Sequence, residues 1–165
     1  MAILTEDMKS MVSRIRLCFV ATVSPDSKPN LSPKGSIGVW DDEHLVFADI
    51  ASPNTVENLK GNPYIEINVV DPILRRGYRF KGKAELVYEG SVFDKVAGEL
   101  WGREGQQYPV NTVVKIHVEH ALPVRSPAYT FNPGVTEEDV KTAWLKRYGY
   151  QEVEPEKSGL RRASS

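Results

Sequence analysis

At 165 residues, with 41% hydrophobic and 26% charged content, the chain has the make-up of one soluble globular domain, large enough to bury a core without staples. Its formal charge of −1 gives no global electrostatic reason to expect nucleic acid or an anionic membrane as partner. The single cysteine, Cys18, excludes an internal disulfide framework and any multi-cysteine zinc or iron–sulfur centre, and its apolar neighbours Leu17, Phe19 and Val20 mark a buried, inert thiol.

The first residues, Met1 to Lys9, lack the basic stretch, apolar core and cleavage site of a secretory signal. No apolar run approaches the ~18 to 20 residues that span a bilayer. A cytoplasmic protein is therefore expected. Thr5 ahead of Glu6 and Asp7 predicts a helix start, and Met8, Met11, Val12 and Ile15 follow at helical spacing. Leu17 to Ser24 reads as a strand, reversed by the turn residues Pro25 to Lys28 into a second strand from Pro29 to Trp40. Pro33, Gly35 and Gly38 interrupt that second strand, which marks an edge, a bulge or a place where a ligand approaches the backbone. Asp41 to Glu43 then turns the chain into a third strand, His44 to Asp49.

Ser52 and Pro53 open a short helix that Gly61-Asn62-Pro63 closes. Ser52 suits the N-cap and Pro53 the first helical position, where its missing N–H costs nothing. The amides beyond them, with the short polar side chains of Ser52, Asn54 and Thr55, form a candidate phosphate site. On local chemistry alone, capping of the helix suffices. Alternation predicts strands over Tyr64 to Val70 and Tyr78 to Tyr88, with a helix from Val92 to about Trp101, capped by Ser91, before a last strand from Thr112 to Val118. Thr136 is placed to cap a helix from Glu137 to about Tyr148, with Gly149 as its C′ residue and Val140, Ala143, Trp144 and Tyr148 as its packing face. The charged stretch from Glu154 to Ser165 reads as a loose terminus.

Six short strands joined by tight turns, with helices between them, favour an antiparallel barrel over a parallel doubly wound sheet. Residues 1–122 are expected to form this barrel, and residues 123–165 an extension with one helix rather than a separate domain.

Several segments together resemble the pyridoxamine 5′-phosphate oxidase family of FMN-binding split barrels. They are Phe19-Val20-Ala21-Thr22-Val23-Ser24, Pro29 to Ser36, Leu45 to Asp49, Ser52 to Asn58, Asn62-Pro63 and Phe80-Lys81-Gly82-Lys83-Ala84, in the family's order over about residues 8 to 120. The resemblance implies a mainly β fold, a six-stranded antiparallel split barrel of Greek-key type with short peripheral helices. It also implies a homodimer with FMN in clefts at the subunit interface. Ser32, Lys34, Gly35 and Ser36 would then lie near the isoalloxazine edge or the phosphate, and Ala48 and Asp49 would face the cofactor. Ser52, Asn54 and Thr55 fall in the family's phosphate-binding loop. Many relatives carry basic residues there, whereas this chain has Pro53 and Asn54, so Lys34, Arg76 or Arg79 would supply the charge.

Trp40 and Trp101 are read as packing residues, with stacking over a flavin as the alternative. His44, His117 and His120 are scattered, and a spacing of three puts His117 and His120 on opposite faces of a strand, which argues against a metal site. The last segment, Ser158 to Ser165, contains Arg161-Arg162 but lacks the tryptophan-containing context of relatives that oxidise pyridoxamine phosphate, so that reaction is not expected. The reading that results is a flavin-dependent oxidoreductase acting on a small molecule, with a nicotinamide or another small electron donor. The alternatives are an FMN storage or redox-sensing protein, and a split barrel that holds deazaflavin or haem.

Overall fold

A computed structural model of the chain describes residues 3–152 and 160–162. They fall into two compact units, Met1–Val70 with Gly77–Val124, and Asp71–Arg76 with Arg125–Ser165.

In the first unit, helix α1 (Glu6–Ile15) starts where Thr5 Oγ1 accepts a hydrogen bond from the Met8 amide, and it buries Met11 and Val12. Strands β1 (Cys18–Val23) and β2 (Pro29–Lys34) form a hairpin, with Ser27 in the left-handed region at φ 63°. There follow β3 (Gly38–Val39), β4 (His44–Asp49), α2 (Pro53–Gly61), β5 (Tyr64–Asp71), β6 (Arg76–Val87), α3 (Ser91–Glu104) and β7 (Thr112–Arg125). The seven strands make one curled antiparallel sheet in the order β2-β1-β5-β6-β7-β4-β3, the architecture of a split barrel.

The count of seven corrects the expected six. Residues 29–40 do not run as one strand: β2 pairs with β1 on one edge of the sheet, and β3 pairs with β4 on the other. From Lys34 to Gly38 the chain can cover about 14 Å at most. The two edges must therefore face each other, and the barrel is closed along this seam by the chain rather than by a continuous ladder. Ser36 works across the seam. Its hydroxyl accepts from the Ala48 amide at 3.1 Å and donates to the Ala48 carbonyl at 3.0 Å, where the next β3–β4 pair would lie.

β4 is buried on both faces. Leu45 and Phe47 join a core with Leu4, Met11, Val12, Val20, Ile67, Phe80, Val114 and Ile116. Val46 and Ala48, on the other face, pack with Val113 of β7 against Val96 and Leu100 of α3. Gly82 permits the close approach of β6 to β7, because a Cβ there would run into the His117 carbonyl oxygen. β7 continues to Arg125, seven residues past the expected end. The N-cap of α3 is Gly90, not Ser91, which is the first helical residue.

In the second unit, Asp71 Oδ1 accepts from the amides of Ile73 and Leu74 at 2.8 Å, and the Tyr129 hydroxyl donates to the Leu74 carbonyl at 2.6 Å. A short helix, α4 (Ala128–Phe131), precedes α5 (Glu137–Arg147). Thr136 and Asp139 form a complete capping box at the start of α5, and Gly149 takes a positive φ of 75° after its end. The buried face of α5 carries Val140 and Leu145, whereas Ala143 and Tyr148 are exposed. Trp144 is half-buried beneath the Arg75 guanidinium, 4.1 Å from its ring centroid. Of the stretch expected to be a loose terminus, Leu160–Arg162 (β9) pairs antiparallel with Tyr150–Glu152 (β8), and residues 153–159 and 163–165 lie outside the described residues.

Candidate functional site

The turn from β4 into α2 is built around Asp49. Its side chain is buried, and Oδ1 accepts from the Ser52 amide at 2.9 Å, which turns the chain into the helix. Ser52 occupies the N-cap but its side chain makes no capping bond. Pro53 takes the first helical position, Asn54 is exposed at the second, and Thr55 is buried at the third with 1% of its surface accessible. Thr55 Oγ1 has no hydrogen-bond partner among the described residues. An unpaired buried hydroxyl costs about 1–3 kcal/mol, so its position is informative. On the same inward face, Asn58 Nδ2 donates to Thr22 Oγ1 at 3.0 Å, as does Asn30 Nδ2 at 3.2 Å, and these bonds tie α2 to the β1–β2 hairpin.

Lys34 ends β2 with 6% of its surface accessible. Its ammonium donates to the Ser32 hydroxyl and to the Pro33 carbonyl at 3.3 Å, and lies 5.9 Å from the Phe47 ring centroid. Burial holds its pKa below the ordinary lysine value, against the pull of the Asp49 carboxylate and Cys18. Burial likewise pushes the Cys18 thiol up to about 12, with Lys34 acting in the opposite sense, so the thiol stays protonated at neutral pH. Gly35 is exposed, and a Cβ built on it would meet nothing within 4 Å.

Nine of the residues singled out in the sequence thus fall along one stretch of surface and its lining. Ser32, Lys34, Gly35, Ser36, Ala48 and Asp49 follow the seam, and Ser52, Asn54 and Thr55 form the adjoining helix start. The two arginines are engaged elsewhere. Arg79 pairs with Glu66 at 2.9 Å on the neighbouring strand, and Arg76, in the second unit, pairs with Glu137 at 2.5 Å. Lys34 is the one cation of the three beside Asp49.

Hollows open on the first unit. One of about 480 Å³ lies at the start of α2, lined by Asp49, Ser52, Pro53, Val56, Lys60 and Tyr88 among others. A recess of about 70 Å³ under α3 shares Ser36 with the seam and is lined also by Trp40, Lys95, Glu99 and Arg103. A predominantly apolar groove of about 360 Å³ is lined by Val23, Tyr64, Ile65, Lys81, Glu119 and His120. Sequence reasoning missed Asn58, Thr22 and Lys95. The spacing Thr55, Asn58, Leu59 on α2 was the available signal for the first, since it marks one inward helical face. Among the described residues, no group of three or more His, Cys, Asp and Glu side chains is arranged to hold a metal ion. No helix among them is long and apolar enough to cross a membrane.

The family model for pyridoxamine 5′-phosphate oxidase matches residues 4–125, which takes in every strand of the seven-stranded sheet. The chain belongs to the pyridoxamine 5′-phosphate oxidase family. HupZ of Group A Streptococcus is 34% identical in a solved structure, over 74% of this chain and 94% of that one, with a TM-score of 0.67. The uncharacterized protein MJ0282 of Methanocaldococcus jannaschii is 34% identical over 59% of this chain, and the match takes in 64% of its own length, less than two thirds of that curated relative. An FMN-binding protein from Syntrophomonas wolfei shares the fold at 19% identity, over 74% of this chain and 87% of that one, with a TM-score of 0.67. So do an F420 reductase at 22% identity (72% and 98% covered, TM-score 0.57) and HutZ, the haem storage protein from Vibrio cholerae, at 18% (72% and 93% covered, TM-score 0.58).

Proposed function

We propose that the chain binds FMN and acts as a flavin-dependent oxidoreductase on a small molecule. The observation that carries this reading is the partnerless, buried hydroxyl of Thr55 beneath an uncapped helix start, in the loop that the family resemblance assigns to the phosphate. The residues present fit such a group. Ser52, Asn54 and Thr55 offer hydroxyl, amide and helix-dipole contacts to a phosphate, while Lys34 offsets the buried Asp49 carboxylate that would otherwise repel it. Gly35 leaves room for a ring edge, and Ser36 is held in place by its two bonds to Ala48. FMN, when bound, supplies hydride and single-electron transfer, so the protein needs only to bind, orient and tune. Lys95, in the recess that Ser36 shares, favours a substrate or electron donor with an anionic group, while Arg103 there is paired with Glu104.

A homodimer is part of the proposal. Phe19, Val23, Leu31 and Tyr64 are 40–66% exposed and stand on the side of β1, β2 and β5 opposite the core, an apolar face suited to a second copy. One observation favours a second reading: His120 lines the apolar groove and would serve as an axial ligand if the cofactor were haem, as the name of the V. cholerae relative invites.

The purified protein's visible spectrum separates these readings, followed by titration with FMN and anaerobic addition of NADH or NADPH. Flavin absorbance that the nicotinamide bleaches supports the oxidoreductase, whereas bound flavin that stays oxidised supports storage or sensing. A Soret band on adding haemin that is lost in His120→Ala, with no FMN uptake, would replace the proposal by the haem reading. Uptake of a deazaflavin in preference to FMN would reassign the cofactor.

A further inference from the structure

His44 and His117 are 73 residues apart in sequence, yet the antiparallel β4–β7 ladder sets them directly opposite each other. Their ring centroids lie 5.2 Å apart with the planes inclined at 51°. Two imidazoles bound to one tetrahedral ion, with metal–nitrogen bonds of about 2.0–2.1 Å, have centroids about 5 Å apart. The pair already stands at that separation.

His44 is also oriented. Its Nδ1 lies 2.7 Å from Asp41 Oδ1, and the same carboxylate oxygen accepts from the Glu43 amide at 2.9 Å, which fixes it in the turn before β4. A histidine that gives its Nδ1–H to a carboxylate turns the lone pair of Nε2 outward, the arrangement found behind many metal-ligating histidines. His117 is exposed, and its side chain makes no hydrogen bond or ion pair among the described residues. Glu119, two residues along the same face, is turned toward Lys83 at 3.6 Å. Turn stabilisation accounts for the bond between Asp41 and His44, and the β4–β7 register then brings the imidazole of His117 opposite the oriented one.

We propose that His44 and His117 form a two-imidazole site for a borderline divalent ion such as Zn²⁺ or Ni²⁺, with Asp41 as the orienting carboxylate and water completing the coordination. Imidazole ligands select this class of ion over Mg²⁺ or Ca²⁺. The site is independent of the FMN reading, because none of its residues belongs to the seam or to the start of α2.

The test is calorimetric titration of the tag-free protein with Zn²⁺, Ni²⁺ and Mg²⁺, in the wild type and in His44→Gln, His117→Gln, His120→Gln and Asp41→Asn. Binding of Zn²⁺ and Ni²⁺ but not Mg²⁺ is expected, with a loss of 100-fold or more in either His44→Gln or His117→Gln. Asp41→Asn should weaken binding about tenfold, and His120→Gln should leave it unchanged. Far-UV circular dichroism should show all four variants folded. No Zn²⁺ binding by the wild type, or binding that survives loss of His44 or of His117, would overturn the site.

Discussion

Two helices of this chain begin with the same sequence logic and end up with opposite chemistry. α5 opens on Thr136, and α2 on Ser52, both good N-cap residues. At α5 the promise is kept in full. Thr136 Oγ1 accepts from the Asp139 amide at 3.1 Å and Asp139 Oδ2 accepts from the Thr136 amide at 2.8 Å. At α2 the Ser52 hydroxyl caps nothing, the Ser52 amide is taken by Asp49, and Thr55 sits buried at the third position without a partner. A helix start that satisfies itself has no need of a ligand. One left incomplete, beside a buried lysine, carries a cost that a bound anion can relieve.

The sharpest way to break this contrast is Thr55→Val, an isosteric change that removes the unpaired hydroxyl. The free protein should gain about 1–3 kcal/mol in denaturant titration, while FMN binding weakens. A destabilised variant would mean that the hydroxyl has a partner in solution, and the case for α2 as a site would weaken with it. Next, Thr136→Ala should cost about 1 kcal/mol, whereas Ser52→Ala should cost only a few tenths, because only the first cap is in use. Equal losses at the two positions would erase the comparison.

Asn54→Asp should separate helix from ligand. The new carboxylate favours the positive end of α2 by about 0.5 kcal/mol, yet it opposes a phosphate at the same place. A slightly raised Tm with FMN affinity lowered about tenfold or more is expected, and unchanged affinity would move the phosphate elsewhere. The smallest effect is one of pH. The hydroxyl and amide of Thr136 hold the Asp139 pKa below its ordinary 3.8, so its stabilisation is complete above that value and is lost as pH falls through the lowered one. The protection of amides in the first turn of α5, relative to their intrinsic exchange rates, should therefore fall on acidification through this range, and in Asp139→Asn that acid response should disappear.

How much of this could be read from the sequence depends on the range of the interaction. The capping box of α5 involves residues three apart, and the strand His44–Asp49 has clear turn signals at its start, so local patterns placed both. The division of residues 29–40 was legible only as an irregularity at Pro33, Gly35 and Gly38. Which edge each half would join depends on pairing with β1 and β4, which no local pattern encodes. The engagement of Arg79 by Glu66, and of Arg76 by Glu137, has the same origin. Histidine spacing along β7 bears on His117 and His120 alone and is silent about His44, because a partner across a ladder has no characteristic spacing in sequence. The packing face of α5 shifted from Ala143 and Tyr148 to Leu145, since a polar helix with few apolar residues admits more than one candidate stripe.

The covalent closure at Gly35–Ile37 gives two loops of similar length very different tolerances. A residue inserted at Pro25–Lys28 lengthens one hairpin tip. A residue inserted between Lys34 and Gly38 changes how far one edge of the sheet can slide along the other, and that stagger is the quantity that ties strand tilt to barrel diameter. The seam is thus a ruler for the barrel, and Gly35 and Ser36, which help mark its length, are among the residues proposed to meet the flavin.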